Sequence, residues 1–210
     1  MKEFETLAVV APDPTANASQ LLVDRVAQDP HGVLFALPLD NGGWRDMTTQ
    51  EFHSEVAALA KGFMQAGIKA GDKVGFMCKT RYEWTLVDFG LWFAGAVMVP
   101  IYETSSPSQV HYTLEDSGAV ALIVENAEHF QRFDEIAGDV PHVTQVWQMH
   151  LGDLDKLAAS GSSVTDQELE KRRSTAKGSD LATLIYTSGS TGQPKGCMLT
   201  HSNFVELIRN

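Results

Sequence analysis

The chain has 210 residues, enough for one large domain or two small ones. Its 43% apolar and 20% charged residues are the balance of a globular protein, so a disordered chain is excluded. A formal net charge of -11 argues against nonspecific nucleic-acid binding, which needs a basic surface. A local loop can still hold phosphate within an acidic protein.

The first 30 residues read as an arm leading into a short helix over 19–27. A strand over 33–37 and a partner over 44–47 flank Asp40-Asn41-Gly42-Gly43, a hairpin turn signal. Thr48 and Glu51 have the spacing of a capping box. Phe52, Val56, Leu59 and Phe63 follow at helical spacing, and Gly67 suits the left-handed stop beyond them.

A strand–helix rhythm then begins. Strands are predicted over 74–78, 97–101, 120–124, 143–147 and 181–186. Helices are predicted over 82–94, from Pro107 to about Ser117-Gly118, over 127–136, and, shorter, over 153–159 and 165–172. A loop and a helix follow the last strand. The rhythm predicts an α/β fold: a mostly parallel sheet flanked by helices on both faces. We divide the chain into 1–66 (arm, hairpin and helix) and 67–210 (an α/β sheet subdomain ending in the loop 186–196 and the next helix). Ligands of such sheets bind at the carboxyl ends of the strands.

Several segments carry no obvious chemistry. The Gly/Ser-rich patch 158–163, with Lys171-Arg172-Arg173 and the residues through Ser179, reads as a mobile surface connection. The basic triplet reads as a solvated helix end. The most apolar stretch, 86–102, contains Asp88 and Pro100 and is shorter than a membrane span. The N-terminus has no signal-peptide pattern, and two distant cysteines, Cys78 and Cys197, form no disulfide framework. A reducing, cytoplasmic location is the expectation.

The seven histidines show no metal-ligand spacing and read as surface or packing residues. His201, at a helix start just after the loop, is also a candidate for approaching a nucleotide. Trp84, Phe89, Trp92 and Phe93 read as core. The segment 102–107 reads as a helix cap, with a ligand-side wall as its alternative.

The segment Tyr186-Thr187-Ser188-Gly189-Ser190-Thr191-Gly192-Gln193-Pro194-Lys195-Gly196 carries the chemistry. Glycines let backbone N–H groups approach an anion. Hydroxyls donate to phosphate oxygens or ligate Mg²⁺, and Lys195 supplies a point charge. A ligand-free Gly/Ser surface loop has a similar composition. Position after a strand and a lysine within the glycine frame favour phosphate. The spacing is not that of a Walker A loop, no Gly-x-Gly-x-x-Gly occurs, and Ser190 lacks the Gly-x-Ser-x-Gly frame of a hydrolase nucleophile.

This segment resembles the phosphate-binding signature of the adenylate-forming superfamily, which holds acyl-CoA synthetases, peptide-synthetase adenylation domains and luciferases. Residues 197–204 and 71–119 resemble its long-chain fatty acid–CoA ligase branch. Ser190 stands where many relatives have Thr. The resemblance implies ATP, Mg²⁺ and CoA as cofactors and co-substrates, a fatty acid as substrate, and no nucleic-acid partner. It assigns the ATP phosphates to Thr187, Ser188, Gly189, Ser190, Thr191, Gly192 and Lys195, and a share in Mg²⁺ ligation to Thr187.

The family's later Mg²⁺ glutamate, ribose-binding aspartate and C-terminal domain are not found in these 210 residues. The resemblance therefore implies that the main catalytic residues lie beyond Asn210, the last residue of the sequence. The expectation is a piece of a longer enzyme, inactive by itself. Peripheral membrane contact of the complete enzyme is compatible with that family. The resemblance also implies that residues before about 66 pack on later sequence, which leaves Phe52, Val56, Leu59 and Phe63 exposed here and favours a homodimer. The competing readings are a standalone nucleotide-binding or regulatory module and an aryl- or amino-acid-activating ligase of the same superfamily.

Overall fold

The computed structural model describes residues 13–39, 41–187 and 192–209. Helix α1 (Ala18–Gln28) starts at Asn17, whose side chain accepts from the Gln20 N–H at 3.2 Å. Strands β1 (Val33–Pro38) and β2 (Trp44–Thr48) pair antiparallel. Gly42 turns between them at φ 81, in the left-handed region. The predicted capping box is present. Thr48 Oγ1 accepts from the Glu51 N–H at 3.2 Å, and Glu51 Oε2 accepts from the Thr48 N–H at 2.7 Å. It opens α2 (Thr49–Gln65). Gly67 stops α2 at φ 90, and the Ile68 N–H reaches back to Phe63 O at 3.0 Å.

The alternating pattern continues through β3 (Lys73–Met77), α3 (Tyr82–Phe93), β4 (Val97–Ile101), α4 (Pro107–Ser117), β5 (Ala121–Val124), α5 (Ala127–Asp134), β6 (Gln145–Gln148), α6 (Asp153–Ser160), α7 (Asp166–Arg173) and β7 (Leu181–Thr187). Two elements close the described chain: β8 (Lys195–Thr200) and α8 (His201–Arg209). Among the described residues the main sheet has the order β6-β5-β3-β4-β7-β8. All its pairs are parallel except β7 with β8.

Side-chain alternation along these strands fills both faces. Val74, Phe76, Met98, Ala121 and Ile123 share one core with Val56, Leu59, Phe63, Leu91 and Phe93 of α2 and α3. Met77, Ile101, Leu122 and Val124 share the other with Val110, Leu114 and Phe133 of α4 and α5. This is the predicted α/β class.

Four local expectations are corrected. The sequence predicts a loop where the structure has β8, because KGCMLT has no alternation and becomes a strand only by pairing with β7. Phe52, Val56, Leu59 and Phe63 are buried, none more than 2% exposed, since the sheet and α3 cover them within this chain. The apolar surface behind the homodimer expectation is therefore already covered.

The patch 158–163 lies at the surface as expected, with Ala159, Ser160, Ser162 and Ser163 exposed, but it is helical and anchored at Gly161 rather than a loose connection. A Cβ on Gly161 would stand 2.5 Å from the Gly62 backbone nitrogen, so its glycine serves close approach to α2. Two arginines of the basic triplet are likewise held. Arg173 is 4% exposed, donates to Ser19 Oγ at 3.2 Å, pairs with Glu170 and lies 5.7 Å over the Phe93 ring. Arg172 donates to Ile68 O at 3.2 Å and Ala94 O at 3.4 Å.

One buried charge-bearing group lacks compensation. Trp84, Asp88 and Trp92 lie four residues apart on one face of α3. Trp92 Nε1 donates to Ala182 O at 3.1 Å, which turns that face toward β7. Asp88 Oδ1 and Thr183 Oγ1 are buried without a hydrogen-bond partner among the described residues. Burial pushes the Asp88 carboxyl up to about 8.

Two outcomes follow. Gly62→Ala drives a methyl into Leu157 O, well inside contact distance, and is expected to lower the unfolding free energy by about 1–3 kcal/mol. An unchanged urea midpoint would contradict that close approach. For Asp88, the unfolded carboxyl ionises near pH 4 while the folded one stays protonated to about 8. The unfolded state then binds fewer protons, so this group's contribution falls as pH rises through that window. Comparing urea midpoints at about pH 6.5 and 8, the wild type is expected to lose more stability than Asp88→Asn. Equal losses would refute a protonated Asp88.

Candidate functional site

Two of the clefts at the carboxyl ends of the parallel strands flank the end of β4, where the fold class puts ligands. The first, about 360 Å³, lies on the α3 side and is lined by Cys78, Lys79, Trp84, Pro100, Tyr102 and Ile185 among others. The second, about 480 Å³, lies on the α4 side and includes Ser105, Gln109, Thr113, Tyr186, Thr187 and Pro194. Both share the end of β4 and Tyr102, which is 70% exposed and forms the ridge between them.

The ridge loop has a dual role. Ser106 caps α4 by accepting from the Gln109 N–H, and Gln109 Oε1 accepts in return from the Ser106 N–H at 2.8 Å. Arg132 of α5 donates to Glu103 O at 2.6 Å and Ser105 O at 3.1 Å, fixing the loop from outside. The segment 102–107 is thus both a cap and a cleft wall.

The β7–β8 hairpin forms the rim of the second cleft. Thr187 and Lys195 are paired residues at its connected end, and both are exposed. Directly opposed antiparallel residues project on the same face, so the two side chains leave the ladder side by side, about 5 Å apart at Cβ. Gly192 has φ 129, a conformation that side chains resist. Thr187 and Lys195 are therefore brought together at the carboxyl edge. Ser188, Gly189, Ser190 and Thr191 lie outside the described residues. So does Asn210, and no catalytic side chain is assigned among the described residues.

Gly196 has a packing reason that its motif does not reveal. It pairs with Tyr186, and a Cβ there would stand 3.0 Å from Leu184 Cδ1 and 3.3 Å from Tyr186 Cζ. Tyr186 donates to Asp116 Oδ2 at 2.6 Å, and Tyr112 donates to Pro194 O at 2.9 Å. Burial, and then the hydrogen bond to Asp116, push the Tyr186 phenol up, so it stays a donor. Sequence reasoning missed Tyr112 and Asp116. Their only local signal is an i,i+4 spacing on α4.

Residues 22–210 match the family described as AMP-binding enzyme. The chain belongs to that family. It is 40% identical over its full length to the long-chain-fatty-acid–CoA ligase FadD15 of Mycobacterium bovis, of which it spans 35%. The same protein of Mycobacterium tuberculosis is 40% identical over the same shares. In fold, the chain superposes on a long-chain-fatty-acid–CoA ligase, FadD1, of Archaeoglobus fulgidus, with a TM-score of 0.74 at 21% identity, covering 95% of this chain and 39% of that one. The chain thus spans about a third of the length of the curated relatives it matches.

Within this member of the AMP-binding enzyme family, other candidates are placed away from the hairpin tip. His201 begins α8 after β8, which runs antiparallel, so it sits at the amino ends of the parallel strands. Thr200 pairs with Leu181, about 20 Å along the strand from Thr187. His201 is 2% exposed, accepts from the Ala18 N–H at 3.2 Å through Nδ1, and meets the Trp92 ring edge-on. Burial pulls it down to about 4, so it is a neutral packing residue. The idea that it approaches the nucleotide is corrected accordingly.

Cys78 lines the first cleft, but burial, and then nearby Glu125, push its thiol up to about 12, which disqualifies it as a nucleophile. Among the described residues no group of three or more His, Cys, Asp or Glu side chains is placed to hold a metal, and no helix is long and apolar enough to cross a membrane. The aromatic cluster on α3 is core, as expected: Phe89 meets Phe52 and Trp92 meets Phe204. Trp84 serves twice, against Phe76 and as a cleft wall.

His201→Ala strands the Ala18 N–H and is expected to cost about 1–3 kcal/mol in urea unfolding without changing nucleotide affinity. A loss of affinity at unchanged stability would return His201 to the site.

Proposed function

We propose that the complete enzyme is an AMP-forming long-chain fatty acid–CoA ligase, and that this chain supplies its polyphosphate grip. A carboxylate oxygen attacks the α-phosphorus of ATP and expels pyrophosphate. The CoA thiol then attacks the acyl carbon and expels AMP, leaving acyl-CoA. The first step sheds a highly charged leaving group, so the protein must present donors and positive charge in fixed positions.

The observation that carries the reading is the pairing of Thr187 with Lys195 at the carboxyl edge of the sheet, within a segment of the family's phosphate-binding type. In this reading Lys195 neutralises the β- and γ-phosphates. Thr187, Ser188, Gly189, Ser190, Thr191 and Gly192 donate to their oxygens. The Thr187 hydroxyl is a hard oxygen donor of the kind Mg²⁺ accepts, and Mg²⁺ commonly takes few protein ligands beside phosphates and water. Bound there, Mg²⁺ would neutralise phosphate charge. The preference for long acyl chains over aryl or amino acids rests on the 40% identity to long-chain ligases. By themselves the 210 residues are expected to give no steady acyl-CoA formation.

The test is Lys195→Ala in the complete enzyme. Loss of a charge-assisted contact of about 1.5–3 kcal/mol corresponds to a drop of roughly 10- to 100-fold in kcat/KM for ATP. The KM for the acid and the melting temperature are expected to stay put, since Lys195 is exposed. ATP–pyrophosphate exchange at the wild-type rate would overturn the assignment.

A further inference from the structure

The stripe Gln109, Tyr112, Thr113 and Asp116 runs along one face of α4 at helical spacing. Val110, Leu114 and Ser117 lie on the adjacent face and are buried together with Thr113, and Val110 and Leu114 anchor the helix to the sheet core. Gln109 and Thr113 line the cleft beneath the phosphate hairpin, while Tyr112 and Asp116 reach the hairpin itself.

The two contacts fall on opposite stems. Asp116 accepts from Tyr186, the residue just before Thr187. Tyr112 donates to the carbonyl of Pro194, the residue just before Lys195. The Tyr112 and Tyr186 rings meet at 86° with centroids 6.1 Å apart, so the two stems also share one aromatic contact. Gly196 leaves room for the Tyr186 ring against β8.

We infer that Tyr112 and Asp116 are positioning residues that set the spacing and direction of the two arms of the phosphate grip. This rests on the proposed reading of Thr187 and Lys195 as phosphate ligands. The Pro194 carbonyl belongs to the peptide that leads into Lys195, so holding that carbonyl limits rotation of the peptide plane. Holding Tyr186 at its hydroxyl fixes where the strand releases Thr187. Without these bonds the hairpin keeps its ladder, but the peptide planes at its connected end, beside Thr187 and Lys195, gain freedom. A ligand must then order them on binding, which weakens affinity without removing a single ligand contact.

In the complete enzyme, Tyr112→Phe deletes only the hydroxyl and keeps the ring. It is expected to raise KM for Mg-ATP by about 3- to 10-fold, with KM for the acid and the melting temperature unmoved. Asp116→Ala is expected to act likewise, and Asp116→Asn, which keeps an acceptor oxygen, to restore most of the loss. If Tyr112→Phe lowers the melting temperature but leaves KM for Mg-ATP unchanged, the two residues are merely structural and the inference fails. Should Lys195→Ala raise KM for Mg-ATP while Tyr112→Phe does not, the grip stands and its positioning by α4 falls. If neither variant shifts it, the phosphate reading itself is wrong.

Discussion

The insertion of β7 beside β4 is the constraint on which the rest of the structure depends. The two strands are distant in sequence, with β5 and β6 laid down on the far side of β3 before the chain returns. Closing that long loop costs entropy and must be offset by contacts formed on arrival. The offsets are visible on both faces: Trp92 donates to Ala182 O from α3, and Leu184 and Tyr186 pack on Val97 and Val99. Once β7 is seated, the turn leaving it can only emerge at the carboxyl edge. The Thr187–Lys195 pair thus acquires its place from strand order and not from the composition of its segment.

The second strand of the hairpin follows from the same event. β8 has only β7 as a sheet neighbour among the described residues, so its Lys195 and the Thr187 opposite it are aligned by ladder register. A slip of one residue would turn Lys195 to the other face, because side chains alternate. The antiparallel return also carries α8 back to the amino ends of the parallel strands. There His201 closes over α1 and Trp92 instead of over a ligand.

Buried polar groups mark where this fold departs from simple apolar packing. Arg173 is compensated by Ser19, Glu170 and the Phe93 ring. His201 is kept neutral and bonded. Thr183 Oγ1 and Asp88 Oδ1 are the exceptions, both buried without a partner among the described residues, and Asp88 is the one able to carry charge. An uncompensated group of this kind is tolerated by shedding its charge. It leaves the packing of α3 sensitive to proton concentration, while on the α4 side Asp116 accepts from Tyr186 of β7 and Tyr112 donates to Pro194 O at the start of β8.

The local elements were legible because their causes are local. The Thr48–Glu51 box, the Gly67 stop, Pro107 at the head of α4 and short apolar strands between amphipathic helices act within a few residues, and each appears where the sequence puts it. The phosphate segment was recognisable for the same reason, as a contiguous run of glycines, hydroxyls and one lysine. The tertiary structure alone decided that Lys195–Thr200 is a strand, that Gly161 meets Gly62, that Arg172 and Arg173 face inward, and that His201 is remote from the hairpin tip. It alone brought Tyr112 and Asp116 to that hairpin. These outcomes depend on which surfaces meet after the sheet closes, and a contact between distant residues leaves no periodicity in either segment to announce it.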